Sequence, residues 1–394
     1  METRVATALA SGSVQDATRA LAKDVRSGLG DAAPQLLVVF GSTEQPLGEL
    51  LARLQAEFPE AALLGCSTAG EFTQRQEANA SVSVFALAGD YRVHTGLGAG
   101  LKESPDAAVG SAIRALPSKV EGYPHRTVVL LIDGLAGMGE EATLLAATLL
   151  GPDVPIAGAA AGDDWKVKST VVGCGGRAIV DGVAVAMIHS KKPLGIGVAH
   201  GHRPFSDVLK ITKAQGNVVH EIDGRPAWEV WAEKTRPEAL KDGIDPDKLV
   251  TAGESLQYFA RFEAGVAVGK EFKIRPPFFR IPDGSLGFSC GIVEGTEFRL
   301  MRSDPELQLE SAREAARRAR GQLGDQPIAG ALVFDCACRK VLLQDGFFSA
   351  VQAISSELGD AKVAGFESYG EIALNQQDFS GFHNATTVLL AFPR

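Results

Sequence analysis

At 394 residues the chain is long enough for two or three domains with substantial cores. Its 39 basic and 48 acidic side chains leave a formal charge of −9, and 22% charged against 45% hydrophobic residues is a globular balance, which excludes disorder and argues against nucleic acid as the main partner. Five scattered cysteines without a CxxC exclude a disulfide framework and point to a reducing, cytoplasmic setting, and neither the segment after Met1 nor the apolar run 128–132 has the length of a signal or a membrane span.

Residues 5–9 and 13–29 read as a strand and a helix, followed by the apolar strand 36–40 (LLVVF). A helix over 46–58 presents Leu47, Leu50, Leu51 and Leu54 on one face, and a short strand, 62–64, leads into the Gly-bracketed turn 65–72 and the alternating strand 81–87. The same plan returns as strand 93–97, helix 104–116, strand 127–133, helix 139–150, strand 154–156, turn 158–164 and strands 169–172 and 183–188. Residues 190–275 break the repetition, with a strand or turn over 205–216 and two short helices, 228–234 and 237–241. A Pro/Gly loop, 275–287, then leads into a hairpin.

A third copy follows: strand 298–301, helix 304–323 opened by Asp304-Pro305-Glu306, strand 331–335, helix 347–358, strand 362–364, turn 365–372 and strand 386–392. Asn79-Ala80-Ser81 and Asn384-Ala385-Thr386 precede the last strands of the first and third copies. Three βαβ units extended by antiparallel strands imply an α/β fold with mixed sheets in layered sandwich domains. With the boundary near Pro226, the expected domains are 1–225, holding two units, and 226–394, holding the third.

The pattern Gly65, Thr68, Gly70 and Glu71 returns as Gly365, Ser368, Gly370 and Glu371, with Ser67 and Tyr369 as further candidate polar contacts of the two turns. Glycines that admit close backbone approach, a hydroxyl and a carboxylate suit a small polar ligand; the same residues also suit a self-satisfied turn. A phosphate loop is excluded, because the motif runs into strands and carries an acid.

At these residues the chain resembles the FIST family of bacterial sensory proteins, which have an N-terminal and a C-terminal FIST domain. The likeness rests on GCSTAGEF (65–72), LIDGLAGMGEE (131–141), PIAGAAAGDDW (155–165), GIGVAHGHRP (195–204), EIDGRPAWEVW (221–231), GIVEGTEFRLMRSDP (291–305), FDCACRK (334–340) and GFESYGEI (365–372). The resemblance implies signal transduction through a small ligand, with amino acids the usual proposal, and output through a partner such as a histidine kinase or a cyclase. A subset of the family is described as haem-binding nitric oxide sensors that regulate a histidine kinase, which makes haem b the alternative cofactor.

The family pattern has a Cys followed three residues later by Arg, matched by Cys336 and Arg339. Arg339 then meets a ligand carboxylate or forms an ion pair with Glu367 or Glu371. Asn384 joins the candidate ligand contacts. Cys336 and Cys338 are expected on one strand face, short of the ligands a metal needs. His200, His202, His383 and His94 are the axial candidates should haem bind. An amidohydrolase with Cys66 as nucleophile lacks an elbow motif, and Asp133, Asp163 and Asp164 suit turns and caps as well as Mg²⁺.

Overall fold

The computed structural model describes residues 2–249, 251–375 and 381–394. The first unit runs β1 (Arg4–Ser11), α1 (Val14–Leu29), β2 (Leu36–Gly41), α2 (Leu47–Glu57), β3 (Ala62–Ser67), β4 (Glu71–Thr73), β5 (Gln76–Ala78) and β6 (Ser81–Ala88). The second repeats it as β7 (Tyr91–Ala99), α3 (Pro105–Ile113), β8 (His125–Ile132), α4 (Gly139–Leu150), β9 (Ile156–Ala160), β10 (Val172–Cys174), β11 (Arg177–Ile179) and β12 (Gly182–Ser190). The third opens with β13 (Gly195–His200) and is then interrupted.

The interruption contains β14 (Arg203–Gln215), β15 (Val218–Ile222), β16 (Arg225–Pro226), α5 (Ala227–Lys241), α6 (Ala252–Arg261), β17 (Phe262–Val268), β18 (Glu271–Arg275), β19 (Pro277–Arg280), β20 (Leu286–Phe288) and β21 (Glu297–Arg302). The third unit resumes with α7 (Pro305–Leu323), β22 (Ile328–Cys336), α8 (Ala337–Leu343), α9 (Phe347–Glu357), β23 (Lys362–Ser368), β24 (Glu371–Leu374), β25 (Gly381–His383) and β26 (Thr386–Pro393).

The sheets reveal a cyclic exchange. Their orders are β1-β6-β2-β3-β10-β11, β25-β24-β9-β8-β12-β7 and β13-β26-β22-β23-β4-β5. Each unit supplies four strands of one sheet and sends a hairpin to the sheet of another: β10–β11 to the first unit, β24–β25 to the second, β4–β5 to the third. The exchange closes a ring of three. The α/β class and the mixed sheets are as expected, with β2/β3, β8/β9 and β22/β23 parallel and their other neighbours antiparallel.

One face of all three sheets packs into a shared core that includes Phe40, Phe85, Leu131, Ile188, Phe334, Phe366 and Phe392. Helices cover the other faces, α1 and α2 on the first sheet, α3 and α4 on the second, α7 and α9 on the third. Central strands buried on both faces explain why β2, β8 and β22 read as continuous apolar runs.

Three expectations need correction. The strand at 298–301 does not lead the third unit: β21 lies between β17 and β14 in the inserted sheet, while β13 pairs with β26 as β1 does with β6. Two short helices at 228–241 are one, α5, continuous through Pro237, because Trp228, Trp231, Thr235 and Ala239 fall on one buried stripe that spans the proline. Gly65 lies inside β3 rather than in a turn. A Cβ there would overlap the Val39 carbonyl oxygen of the adjacent parallel strand, and Gly158 and Gly365 face Leu130 and Val333 in the same way.

Candidate functional site

Because β3, β9 and β23 end together, the segments that follow them meet. Ala69 N–H donates to Glu367 O at 3.0 Å and Glu367 N–H to Gly70 O at 2.8 Å. Ala160 N–H donates to Gly370 O at 2.8 Å, and Gly162 N–H to Ser67 O at 3.0 Å. The fold therefore brings the two Gly-Glu turns into contact, with the third unit-to-unit junction supplied by 160–164. Gly70 has no room for a side chain, since a Cβ would lie 2.7 Å from the Glu367 carboxyl group, and at Gly370 it would overlap the Phe382 ring.

The acids of the two turns are bound alike. Glu71 accepts from Thr68 Oγ1, from Ser81 Oγ at 2.6 Å and from Ser81 N–H at 3.2 Å. Glu371 accepts from Ser368 Oγ at 2.7 Å, Thr386 Oγ1 at 2.8 Å and Thr386 N–H at 3.1 Å. Both are buried, and burial pushes the Glu71 carboxyl up to about 7 and Glu371 well above the usual range. Ser67 Oγ is likewise committed, donating to Gly162 O at 2.7 Å and accepting from Val171 N–H at 2.9 Å. Tyr369 OH donates to Asp163 Oδ1 at 2.8 Å and accepts from Trp165 N–H at 2.9 Å. Gly65 and Gly365 stand one strand pair away as spacers.

Arg339 is fully buried, but its ion-pair partner is Asp335, at 2.7 Å, rather than Glu367 or Glu371. The chain turns helical at Ala337, which places Asp335 four residues before Arg339 and directly beneath it. Ser311 Oγ at 2.7 Å, Gln308 O at 3.0 Å and Gln308 Oε1 complete the guanidinium's partners. Asn384 Oδ1 accepts from Arg275 at 3.4 Å. The strand carrying Cys336 ends at that residue, so Cys338 lies on α8 and not on the same strand face.

The acids considered for Mg²⁺ hold loops. Asp133 accepts from Leu135 N–H, Thr170 Oγ1 and Asp181 N–H; Asp163 accepts from the N–H groups of Val167, Lys168 and Ser169; Asp164 accepts from Ser42 Oγ and Thr43 N–H. No cluster of three or more His, Cys, Asp or Glu suited to a metal occurs among the described residues. Cys66 is buried in β3, where burial pushes its thiol well up and keeps it neutral.

A non-covalent haem needs an apolar slot beside its axial histidine. His200 and His202, with ring centres 6.0 Å apart, face a cavity of about 210 Å³ walled by Glu271, Glu310, Glu314, Arg317 and Arg318, and His202 Nε2 lies 3.1 Å from buried Glu263. His383 is buried with Lys273 and Arg275 as charged neighbours, and His94 meets His189 edge-on. Charged walls at His200 and His202 and cations beside His383 do not fit the group.

A larger cavity, about 660 Å³, lies at the opposite end of the strands, roughly 25 Å away for a strand the length of β6. It opens where β6 passes to β7, where β12 passes to β13, and where β1 begins beside the end of β26. Glu2, Thr3, Asp90, Tyr91, Ser190, Lys191, Lys192, Pro327 and Arg394 line it, and all three units contribute. Lys191 Nζ lies 2.6 Å from Asp90 Oδ2, and Lys191 together with the Tyr123 hydroxyl holds the Asp90 carboxyl down to about 2. Thr3 Oγ1 and Tyr91 OH are 2.9 Å apart, and Lys192 Nζ donates to the Arg394 carbonyl. The motif comparison missed these residues. Their signal was position, since Asp90 and Lys191-Lys192 follow the last strands of the first two units.

Among the described residues no helix is long and apolar enough to cross a membrane. An uncharacterized protein of Mycobacterium tuberculosis is 27% identical over 373 residues, covering 91% of each chain. An uncharacterized protein of Methanocaldococcus jannaschii is 24% identical over 249 residues, 59% of this chain and 47% of that protein, so the chain spans about half of the archaeal relative's length. Of solved structures, cyanuric acid hydrolase from A. caulinodans aligns over 100% of this chain and 99% of its own with a TM-score of 0.37 and 9% identity. Residues 35–225 match the FIST N domain and residues 228–374 the FIST C domain. The chain therefore belongs to the FIST family, whose domains serve sensory roles in signal transduction.

Proposed function

We propose that this protein senses a small zwitterionic metabolite, an amino acid being the fitting class, in the cavity where the three units join, and reports it to a partner protein. The carrying observation is the cavity's lining: three cations, Lys191, Lys192 and Arg394, and two acids, Glu2 and Asp90, around a volume of about 660 Å³. That volume falls within the roughly 300–1,000 Å³ of small-molecule sites. Lys191 and Asp90 neutralise each other and Lys192 already donates to the Arg394 carbonyl, which leaves the Arg394 guanidinium and the remaining Lys192 N–H groups for a carboxylate and Glu2 for an ammonium group.

Walls drawn from three units give the ligand a lever. A ligand that fits one arrangement of the joints better than another shifts the population toward it by its differential affinity. Binding without catalysis is the economical reading, since Cys66 is neutral and the turn acids are held by hydroxyls. The partner class that the family resemblance implies is a histidine kinase or a cyclase.

Thermal-shift screening of free amino acids followed by calorimetric titration tests the reading. Replacing Lys192→Ala removes a charged hydrogen-bond donor and weakens the best ligand about tenfold or more, while Glu371→Gln leaves affinity unchanged. The reverse pattern would move the ligand to the Gly-Glu turns, and the absence of any amino-acid binding would sink the proposal.

A further inference from the structure

Cys336 ends β22 and Cys338 lies in the first turn of α8. The bend between them brings the sulfurs together, with Cys338 Sγ donating to Cys336 Sγ at 3.1 Å. The Cys338 thiol and the backbone N–H groups of Cys338 and Ala385 hold the Cys336 thiol below its usual range against the opposing effect of burial. The same shared hydrogen bond, with burial, pushes Cys338 well up. The two sulfurs thus share one hydrogen bond and stand in contact, the placement from which a dithiol closes.

The pair lies in the seam between the inserted sheet and the third unit. Ile274 and Met301 wall it from β18 and β21, and Ala385 from the approach to β26. Both cysteines are buried, at 6% and 5% exposure. The remaining three thiols differ. Cys66, Cys174 and Cys290 are all pushed up by burial.

We propose that Cys336 and Cys338 form a dithiol that reduces small hydroperoxides and closes to an intramolecular disulfide. The Cys336 thiolate attacks the peroxide oxygen, the O–O bond breaks, and the departing hydroxide or alkoxide takes up a proton. Cys336 is left as a sulfenic acid. Cys338 sulfur then attacks the Cys336 sulfur, the S–S bond forms, the S–O bond breaks, and hydroxide leaves as water with the Cys338 proton. Two thiols and one hydroperoxide yield one disulfide, one water and one alcohol, or a second water when the oxidant is hydrogen peroxide. The protein gives up two electrons and two protons. Closure draws the sulfurs from contact to a bond of about 2.05 Å and so shifts the seam that carries the inserted sheet.

The test uses the intact protein and equimolar hydrogen peroxide, followed by alkylation in denaturant and tryptic mass analysis. Cleavage after Arg320 and Arg339 yields the peptide 321–339, which contains Cys336 and Cys338 and no other cysteine. The expected wild-type product is this peptide unalkylated and lighter by two hydrogens. In Cys338→Ser the expected product is a dimedone-trapped sulfenic acid on Cys336, and Cys336→Ser loses its remaining thiol at 338 at least about tenfold more slowly than wild type. A wild-type peptide that stays doubly alkylated while Cys174 or Cys290 oxidises overturns the proposal whatever the variants do, and so does equal thiol loss in Cys336→Ser and wild type.

Discussion

The two ends of the ring are built by the same three units, yet one is shut and the other open. At the shut end each unit passes a hairpin to another unit's sheet, so backbone groups of 67–70, 160–164 and 367–370 are consumed in bonds between units. At the open end a strand simply continues into the next unit, as β6 does into β7. Among the described residues no hairpin crosses there, and about 660 Å³ is left between the joints. Closure also dictates chemistry, because an acid buried at the shut end needs hydroxyl and N–H donors from the protein, whereas charges at the open end can stay hydrated.

The sharpest way to break this contrast is to disturb each end by one side chain. Replacing Gly158→Ala drives a methyl into the Leu130 carbonyl of the paired strand and is expected to cost about 3 kcal/mol in urea unfolding. The open-end change Lys192→Ala is expected to stay within about 0.5 kcal/mol. Comparable losses at the two sites would erase the distinction.

A somewhat smaller effect is expected at Glu371. Truncation in Glu371→Ala strands Thr386 Oγ1 and Thr386 N–H without this acceptor, leaves Ser368 Oγ only the Asp335 carbonyl at 3.3 Å, and is expected to cost about 2–3 kcal/mol. Glu371→Gln keeps the shape and a carbonyl oxygen, so about half that loss is expected by the same measurement. If the two variants unfold alike, the hydrogen bonds do not hold this end closed.

Proton uptake distinguishes the ends next. Burial pushes Glu367 up to about 8, with Asp335, Glu77 and Glu71 adding repulsion against Lys340, and Glu71 stands at about 7. Both lie above the ordinary 4.5, so the folded chain binds more protons than the unfolded one between those values. Stability is therefore highest below about pH 4.5 as far as these two groups contribute, and falls as pH rises to about 8, at up to ~1.4 kcal/mol per pH unit for each proton. Glu367→Gln removes one proton's share of that slope. Denaturation curves across this pH range that overlay for wild type and variant would show that Glu367 ionises freely in the fold.

The parts of the fold legible in the sequence are those fixed by local burial. LLVVF, TVVLLID and ALVFD announced central strands because both faces of β2, β8 and β22 are covered. The ring was not legible, since a three-residue strand such as β4 carries no cue that its partner is β23, far along the chain. The third unit's first strand was misplaced for a related reason: the insertion separates GIGVAH from α7 and leaves FRLM as the nearest upstream strand. At the site, the repeat marked the two turns but not that they touch, and of the hydroxyls on each Glu only the one three residues before it is a local neighbour, Ser81 and Thr386 coming from the strand that follows. The Asp335 partner of Arg339 depended on where a helix begins, and the joint cavity on which strand ends converge; neither is a local pattern.

The smallest expected effect tests a detail shared by all three units. Ala80, Asp181 and Ala385 precede β6, β12 and β26 with φ of 52°, 49° and 57°, a left-handed conformation that a side chain disfavours. At Ala80 the methyl is exposed and packs on little, so Ala80→Gly trades roughly 1–2 kcal/mol of strain against the greater freedom glycine has when unfolded, a net stabilisation of about 0.5–1 kcal/mol. Ala385 has the same backbone but a fully buried methyl packed with Cys336, Cys338 and Met301. There the lost packing, about 1 kcal/mol, cancels the relief, and Ala385→Gly is expected to leave the unfolding midpoint nearly unchanged. Equal gains at the two positions in parallel denaturation curves would mean that the Ala385 methyl contributes nothing to the seam, and that backbone strain alone sets the balance where each unit re-enters its sheet.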